Sequence, residues 1–273
     1  MNPLDIHPPL VEQLLVQFLR EELASAGFSR AVLGISGGVD SALVAALCAR
    51  ALGPENVLGV MMPYRTSNPD SEGHARLLAK TLGITTKKVE ITGMADGYLA
   101  SLGVTDRMRR GNVMARCRMI VLYDQSVDFK GLVVGTSNKT EILLGYSTQW
   151  GDSASALNPI GDLYKHQIYQ LSRHLGVPAE ILDKAPSADL FEGQTDEGEL
   201  GFSYADADRL LHHMVDERLT EDELVAAGFQ VDFVRRLAAR IAATQFKRVM
   251  PLIAKLSQRT INQDFRYMRD WGR

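Results

Sequence analysis

Apolar positions at Val11, Leu14, Leu15, Phe18 and Leu19 recur at the spacing of one helical face, behind Pro8 and Pro9 and ahead of Gly27. That spacing predicts an amphipathic N-terminal helix. The pattern then changes to short runs rich in Val, Leu and Ile at residues 30–35, 57–62, 86–91 and 131–135, which read as strands. Helical stretches separate them. Residues 42–52 are apolar on most sides, residues 70–82 carry the stripe Ala75, Leu78, Ala79 and Leu82 before Gly83, and a third helix is expected over 112–127. Strand and helix in alternation predict an α/β fold: a doubly wound, Rossmann-like parallel sheet with helices on both faces, plus N- and C-terminal helices. Ligands bind such sheets outside the C-terminal strand ends where the winding reverses, which directs attention to the loops after the first and fourth strands.

Residues 146–162 are loop-like, and a helix over 163–175 stops at Gly176 and Pro178. Between Ala185 and Tyr204 there is no Lys or Arg, but there are Asp189, Glu192, Asp196, Glu197 and Glu199 with three glycines. This stretch reads either as a mobile lid or as a solvated acidic loop. Residues 206–244 are helical in pattern.

Composition narrows the function classes. The chain has 273 residues, 30 Lys+Arg against 33 Asp+Glu and a net charge of −3, which argues against a basic nucleic-acid-binding domain. The longest apolar run, residues 42–49, is far short of the roughly 18 a membrane span requires. No secretory signal pattern stands at the N-terminus, so a reducing cytoplasm is the expected location. Cys48 and Cys117 sit in apolar helical sequence and read as buried small hydrophobes. The adjacent His212 and His213 point about 100° apart on a helix and make a poor joint metal site.

The chemistry concentrates at two strand ends. The first strand runs into Gly34-Ile35-Ser36-Gly37-Gly38-Val39-Asp40-Ser41 and then a helix. Glycines let the backbone approach a ligand, serine hydroxyls add donors, and the helix start supplies partial positive charge, so the string is an anion cradle. No Gly-Lys-Ser/Thr follows, as the commoner phosphate loop requires. Asp40 would repel a bare phosphate, and a Mg²⁺ ion held between Asp40 and phosphate oxygens resolves the conflict; the plainer role for Asp40 is helix N-cap. The fourth strand runs into Gly135-Thr136-Ser137-Asn138-Lys139-Thr140-Glu141, where Glu141 is either one half of a capping box or a second carboxylate facing Asp40.

The first string resembles the pyrophosphatase loop of the Ser-Gly-Gly-x-Asp-Ser adenylating ligases. Five separated blocks extend the likeness: the fourth-strand string; Gly111-Asn112 with Ala115 to Met119; Leu163-Tyr164-Lys165; Pro186 to Leu190; and Gly193 to Glu197. They occur in the same order in NAD synthetases, and the resemblance runs from about residue 10 to 250. It implies ATP contacts from Gly34, Ile35, Ser36, Gly37, Gly38, Val39, Asp40 and Ser41, and from Thr136, Lys165 and Ser187. It also implies Mg²⁺ ligation by Asp40 and Glu141, a catalytic set of Asp40, Glu141 and Lys165, and Arg116 on deamido-NAD. The implied reaction transfers AMP from ATP to the nicotinate carboxylate, after which ammonia displaces AMP to give NAD. A single domain over 1–273 follows, with an N-terminal helix (1–27), a nucleotide-binding core (28–190), an acidic loop (191–204) and a C-terminal helical part (205–273).

Where the best-known branch of that family has a lysine before an aromatic-Gly-Asp triplet, this chain has Gln149; where it has an acid, Ala156; and its His-Lys pair reads Phe246-Lys247. Gln149, Asp152, Ala156, Phe246 and Lys247 are therefore the candidate nicotinate-end residues, with Asp152 and Asp162 as replacement acids. The cluster Arg107, Arg109, Arg110, Arg116 and Arg118 suits dinucleotide phosphates. The family also implies a homodimer, for which the apolar stripe of the first helix is the expected contact. Two alternatives are an adenylating ligase with another nucleotide or tRNA as acceptor, and a nucleotide-binding regulator without catalysis; pyrophosphate release with candidate acceptors separates them.

Overall fold

The computed structural model describes residues 2–187, 189–191 and 193–261. Ala188, Glu192 and the end of the expected C-terminal part, 262–273, lie outside the described residues. In β1 (Ala31–Gly34), Ala31 and Leu33 face one side of the sheet, together with Ile35 just beyond the strand, while Val32 faces the other. In β2 (Val57–Met61), Val57 and Met61 join the first side, and Leu58 and Val60 the second. β3 (Thr85–Lys88) and β4 (Leu132–Val133) complete a parallel sheet of order β3-β2-β1-β4. The winding therefore reverses between β1 and β4, as expected.

The helices between the strands are α2 (Val39–Leu52), α3 (Pro69–Leu82), α4 (Thr92–Ser101) and α5 (Arg107–Phe129). One face of the sheet is covered by α2, α3 and α1 (Pro8–Ser25), the other by α4 and α5. After β4 come α6 (Lys139–Leu144), α7 (Lys165–His174), α8 (Ala179–Leu182), α9 (Asp196–Leu200), α10 (Tyr204–Leu211), α11 (Glu221–Ala226) and α12 (Val231–Ala243). A third core cluster joins Leu144, Tyr164, Leu200 and Tyr204 to Leu224 and Leu237, so the C-terminal helices pack against α6 and the start of α7. Among the described residues no helix is long and apolar enough to cross a membrane.

Several boundaries move. The third strand stops at Lys88, because the Thr85–Lys88 edge is polar and exposed, and Ile91 instead caps α4. That helix escaped the pattern, since it contains Gly93 and Gly97 and buries only Ala95 and Leu99. The fifth helix begins at Arg107, where Asp106 accepts a hydrogen bond from Arg109 N–H (2.8 Å) in an arginine-rich turn that shows little apolar signal. Within the loop over 146–162, Leu157 bridges Val134 in parallel, and Ala156 N–H donates to Val133 O at 2.9 Å. The acidic stretch is not a plain solvated loop: it contains α9, and Asp196 and Leu200 are buried.

The stripe of α1 is divided. Leu19 and Leu23 are fully buried, and Val11 and Leu15 pack against the chain's own core, whereas Leu10 (51% exposed) and Leu14 (56%) remain outside. Leu15 is thus not a free partner contact. The helix closes this core, so Leu19→Ala should lower the unfolding free energy by about 2–5 kcal/mol in a urea titration. A change close to zero would mean that α1 is only loosely attached.

Candidate active site

At the switch point the loop between β1 and α2 folds on itself. Gly38 N–H donates to Ser36 Oγ (3.3 Å), Ser41 Oγ donates to Gly38 O (3.0 Å), and Ser36 N–H donates to Ser41 Oγ (3.2 Å). Gly37 has φ +72°, and a Cβ there would stand 2.3 Å from Ser71 O, so only glycine fits without displacing backbone. The first N–H groups of α2, which have no intrahelical acceptors, open toward a cleft of about 920 Å³. Gly34, Ile35, Ser36, Gly38, Val39, Asp40 and Ser41 line that cleft, as do Thr136, Glu141, Lys165 and Ser187. Gly37 supplies the turn and does not line it.

Asp40 lies in the first turn of α2, and Gly38 is the N-cap, so the capping reading of Asp40 fails. Its carboxylate is used elsewhere: Oδ1 accepts from Asn138 Nδ2 (2.9 Å) and Oδ2 from Lys165 Nζ (2.6 Å). Glu141 does both things open to it. Its Oε2 accepts from Asn138 N–H (3.2 Å) while its own N–H donates to Asn138 Oδ1 (2.9 Å), a closed capping box, and its Oε1 stands 3.6 Å from Lys165 Nζ. Burial and the nearby Asp40 push the Glu141 carboxyl above its ordinary range despite Lys165. Burial acts to lower the Lys165 ammonium, but Asp40 and Glu141 outweigh it and hold the group above its usual value.

Two carboxylates from opposite sides of the switch point thus converge on one cation position. Among the described residues no cluster of three His, Cys, Asp or Glu side chains could hold a metal unaided. Hard oxygen donors in a pair fit a magnesium ion that takes its remaining ligands from phosphate and water.

The residues expected at the nicotinate end are divided. Asp152 and Lys247 line the cleft: Asp152 Oδ1 accepts from Thr148 N–H (2.8 Å), and Lys247 Nζ donates to Gly145 O and Ser147 O (2.8 and 2.7 Å). Protein packed around Asp152 raises its carboxyl. Arg116, Gln149, Ala156 and Phe246 do not line it. They run along the neighbouring surface instead, Arg116 Nη2 donating to Gln149 O (3.1 Å) and Gln149 Nε2 to Phe246 O (3.3 Å), while Ala156 sits in the backbone bridge to β4. Two residues along α5 turn a side chain by about 200°, which is why Arg118, donating Nε–H to Met62 O (3.1 Å), faces the cleft and Arg116 does not. Asp162 is exposed and pairs with Lys139 at 3.2 Å, outside the cleft wall.

Other cleft groups were not legible. Lys184 donates to Ser71 Oγ at 2.8 Å beside the glycine loop, although no lysine is near that loop in sequence. Asp196 accepts from Tyr146 Oη (3.2 Å) and Tyr204 Oη (3.1 Å), and the Tyr204 ring lies 4.9 Å from Lys165 Nζ. For Asp196 the sequence signals were the run of acids in a glycine-bearing segment and the Gly193–Glu197 block; neither showed that its carboxylate is buried. His212 and His213 contact Asp216 and Glu217 one turn on, in line with the structural reading. Cys48 and Cys117 are free and buried, and burial pushes the Cys48 thiol up to about 12.

Residues 11–251 match the family described as NAD synthase. An NH(3)-dependent NAD(+) synthetase of Trichlorobacter lovleyi is 57% identical over 273 residues, 100% of each chain, and one of Fusobacterium nucleatum is 54% identical over 94% of this chain and 100% of its own. Among solved structures, an NMN synthetase from Francisella tularensis superposes with TM-score 0.82 at 31% identity, over 92% of this chain and 99% of its own. An NH3-dependent NAD synthetase from Campylobacter jejuni, in complex with the nitrate ion, gives 0.79 at 34%, over 92% and 100%.

A carboxyl whose folded pKa is raised costs the fold nothing below its unfolded pKa; stability is lost as the pH rises from the unfolded value to the folded one, and the loss is complete above that. The ligand-free chain should therefore lose stability through Glu141 as pH rises above the ordinary 4.5. Glu141→Gln should melt above the wild type at about pH 8, with the margin shrinking toward about pH 5. A variant less stable than wild type at the higher pH in thermal unfolding would refute this.

Proposed function

The chain belongs to the NAD synthase family, and from that premise we propose that it is an ammonia-dependent, AMP-forming ligase that makes the carboxamide of NAD from deamido-NAD, with ATP as co-substrate. The observation that supports the reading most directly is the convergence of Asp40, Glu141 and Lys165 behind a glycine-serine anion cradle. A nicotinate carboxylate is a poor electrophile. Its oxygen attacks the α-phosphorus of ATP, pyrophosphate departs, and the resulting acyl-adenylate has AMP as a good leaving group. Ammonia then attacks the acyl carbon, AMP leaves, and a proton is released.

In this reading the Gly34–Ser41 loop and the α2 N-terminus bind the departing phosphates. Lys165, moving from carboxylate to phosphate oxygen, neutralises charge as it develops, and Thr136 and Ser187 complete the ATP contacts. Mg²⁺, held by Asp40 and Glu141, would supply charge neutralisation at the phosphates. The 191–204 segment, as a lid, shields the mixed anhydride from water. Free, buried thiols suit the reducing cytoplasm. The four-part division of a single domain stands as part of the same proposal.

Arg116 is assigned to deamido-NAD although it points away from the cleft. It shares one face of α5 with Ile120, Tyr123 and Val127, which are exposed at 52%, 40% and 78%. A second copy of the chain covering that stripe would bring Arg116 under cover at the subunit boundary, which Asp152, Gln149, Phe246 and Lys247 adjoin. This places the proposed homodimer contact on α5, since the chain's own core already covers much of the α1 stripe.

Two experiments test the reading. Ammonium salts should support formation of NAD, AMP and pyrophosphate from deamido-NAD, glutamine alone should not, and Asp40→Asn should cut turnover by about 10²-fold or more. Turnover with glutamine, or only with a mononucleotide acceptor, would overturn it. By light scattering, Ile120→Glu with Val127→Glu should give monomers with a raised KM for deamido-NAD, and Leu14→Glu should leave the dimer intact. The reverse result would move the interface to α1.

A further inference from the structure

Asp208 is the most enclosed charged side chain among the described residues, with no exposure to solvent, and it lies outside the cleft wall. Both its oxygens are committed. Oδ1 accepts from Thr140 Oγ1 at 2.5 Å, and Oδ2 accepts from His166 N–H at 2.8 Å. Thr140 Oγ1 in turn accepts from Lys165 N–H at 3.2 Å. One carboxylate on α10 therefore clamps the first turn of α6 to the first turn of α7, where helix N-termini favour negative charge.

What the clamp holds gives it a role. Thr140 precedes Glu141, and His166 follows Lys165, so each partner of Asp208 is the chain neighbour of a charged group in the cleft. One turn earlier on the same face of α10, Tyr204 lies under the Lys165 ammonium and donates its hydroxyl to Asp196. Twenty residues of largely irregular chain, 145–164, separate α6 from α7, so chain connectivity does not set the distance between Glu141 and Lys165. Contacts across the gap do: the buried clamp, the bond from Lys139 N–H to Leu163 O (2.8 Å) and the packing of Leu144 with Tyr164.

We propose that Asp208 is a positioning residue for the reaction, setting Glu141 and Lys165 in register through Thr140 and the backbone of α7. This rests on the catalytic reading of those two groups. An amide at position 208 cannot reproduce the arrangement. Its NH₂ would face either the His166 N–H or a threonine hydroxyl whose proton would then lack an acceptor, so at least one of the three buried hydrogen bonds is lost.

The test compares Asp208→Asn, Thr140→Val, their combination and Thr140→Ser in the full chain. Asp208→Asn and Thr140→Val should each lower kcat by about 10- to 100-fold, the scale seen when the support behind a site's ligands is removed, with KM for deamido-NAD little changed. The double variant should be no worse than the poorer single, and Thr140→Ser should restore most of the loss. Calorimetric affinity for MgATP should fall about 10-fold in the same variants, a readout that needs no turnover. Full kcat and MgATP affinity in folded Asp208→Asn, or a loss that only tracks the folded fraction, would overturn the proposal. If Asp208→Asn does not fold, the Thr140→Val and Thr140→Ser pair decides it, and equal losses in both would reject it. Wild-type protein that binds MgATP but makes no NAD would instead reject the function proposed above, with the affinity comparison still deciding the role of Asp208.

Discussion

An ammonium ion enclosed between two carboxylates is the constraint on which the cleft depends. The Lys165 side chain is only 3% exposed, and its Nζ lies 2.6 Å from Asp40 and 3.6 Å from Glu141. Taking such charges out of water is costly, and mutual attraction offsets the cost only when geometry is good and the remaining polar valences are met. Here Asn138 meets them, donating its amide to Asp40 and closing a box with Glu141. Removing Asp40 or Lys165 from their close buried pair costs about 3–5 kcal/mol, which makes that pair a structural tie as well as part of the cleft.

The cluster also explains why the sheet needs its C-terminal helices. The first turn of α2, after β1, supplies Asp40 and that of α6, after β4, supplies Glu141, but Lys165 arrives from α7, and α10 supports that helix through Tyr204 and Asp208. The acidic segment is drawn into the same arrangement, because Asp196 is held by hydroxyls of Tyr146 and Tyr204 rather than by solvent. An acidic surface stretch therefore becomes part of the cleft wall once two tyrosines and a nearby lysine are present to receive it.

Much of this was legible beforehand because it is local. Alternation in β1 and β2, the stripe of α3 and the apolar α2 each report burial within a few residues, and the glycine-serine loop reports its own turn. The departures have equally local causes. α4 has a weak apolar signal broken by two glycines, and the arginine-rich start of α5 shows almost none. Glu141 shows that a capping residue and a cleft carboxylate can be one side chain, since its two oxygens serve different partners.

The amino-acid sequence by itself determined the parallel α/β sheet and the two switch-point loops that carry Asp40 and Glu141, because repeat spacing and short motifs encode these within a few residues. Only the tertiary structure decided the direction of Arg116 and Arg118, the buried docking of Asp196, the arrival of Lys184 beside the glycine loop and the clamp made by Asp208. Each of those depends on contacts between residues 33 or more positions apart, or on which face of a helix the rest of the chain covers. Neighbouring residues do not determine such contacts; they are settled only when distant elements pack together, as the third core cluster packs the C-terminal helices against α6 and α7.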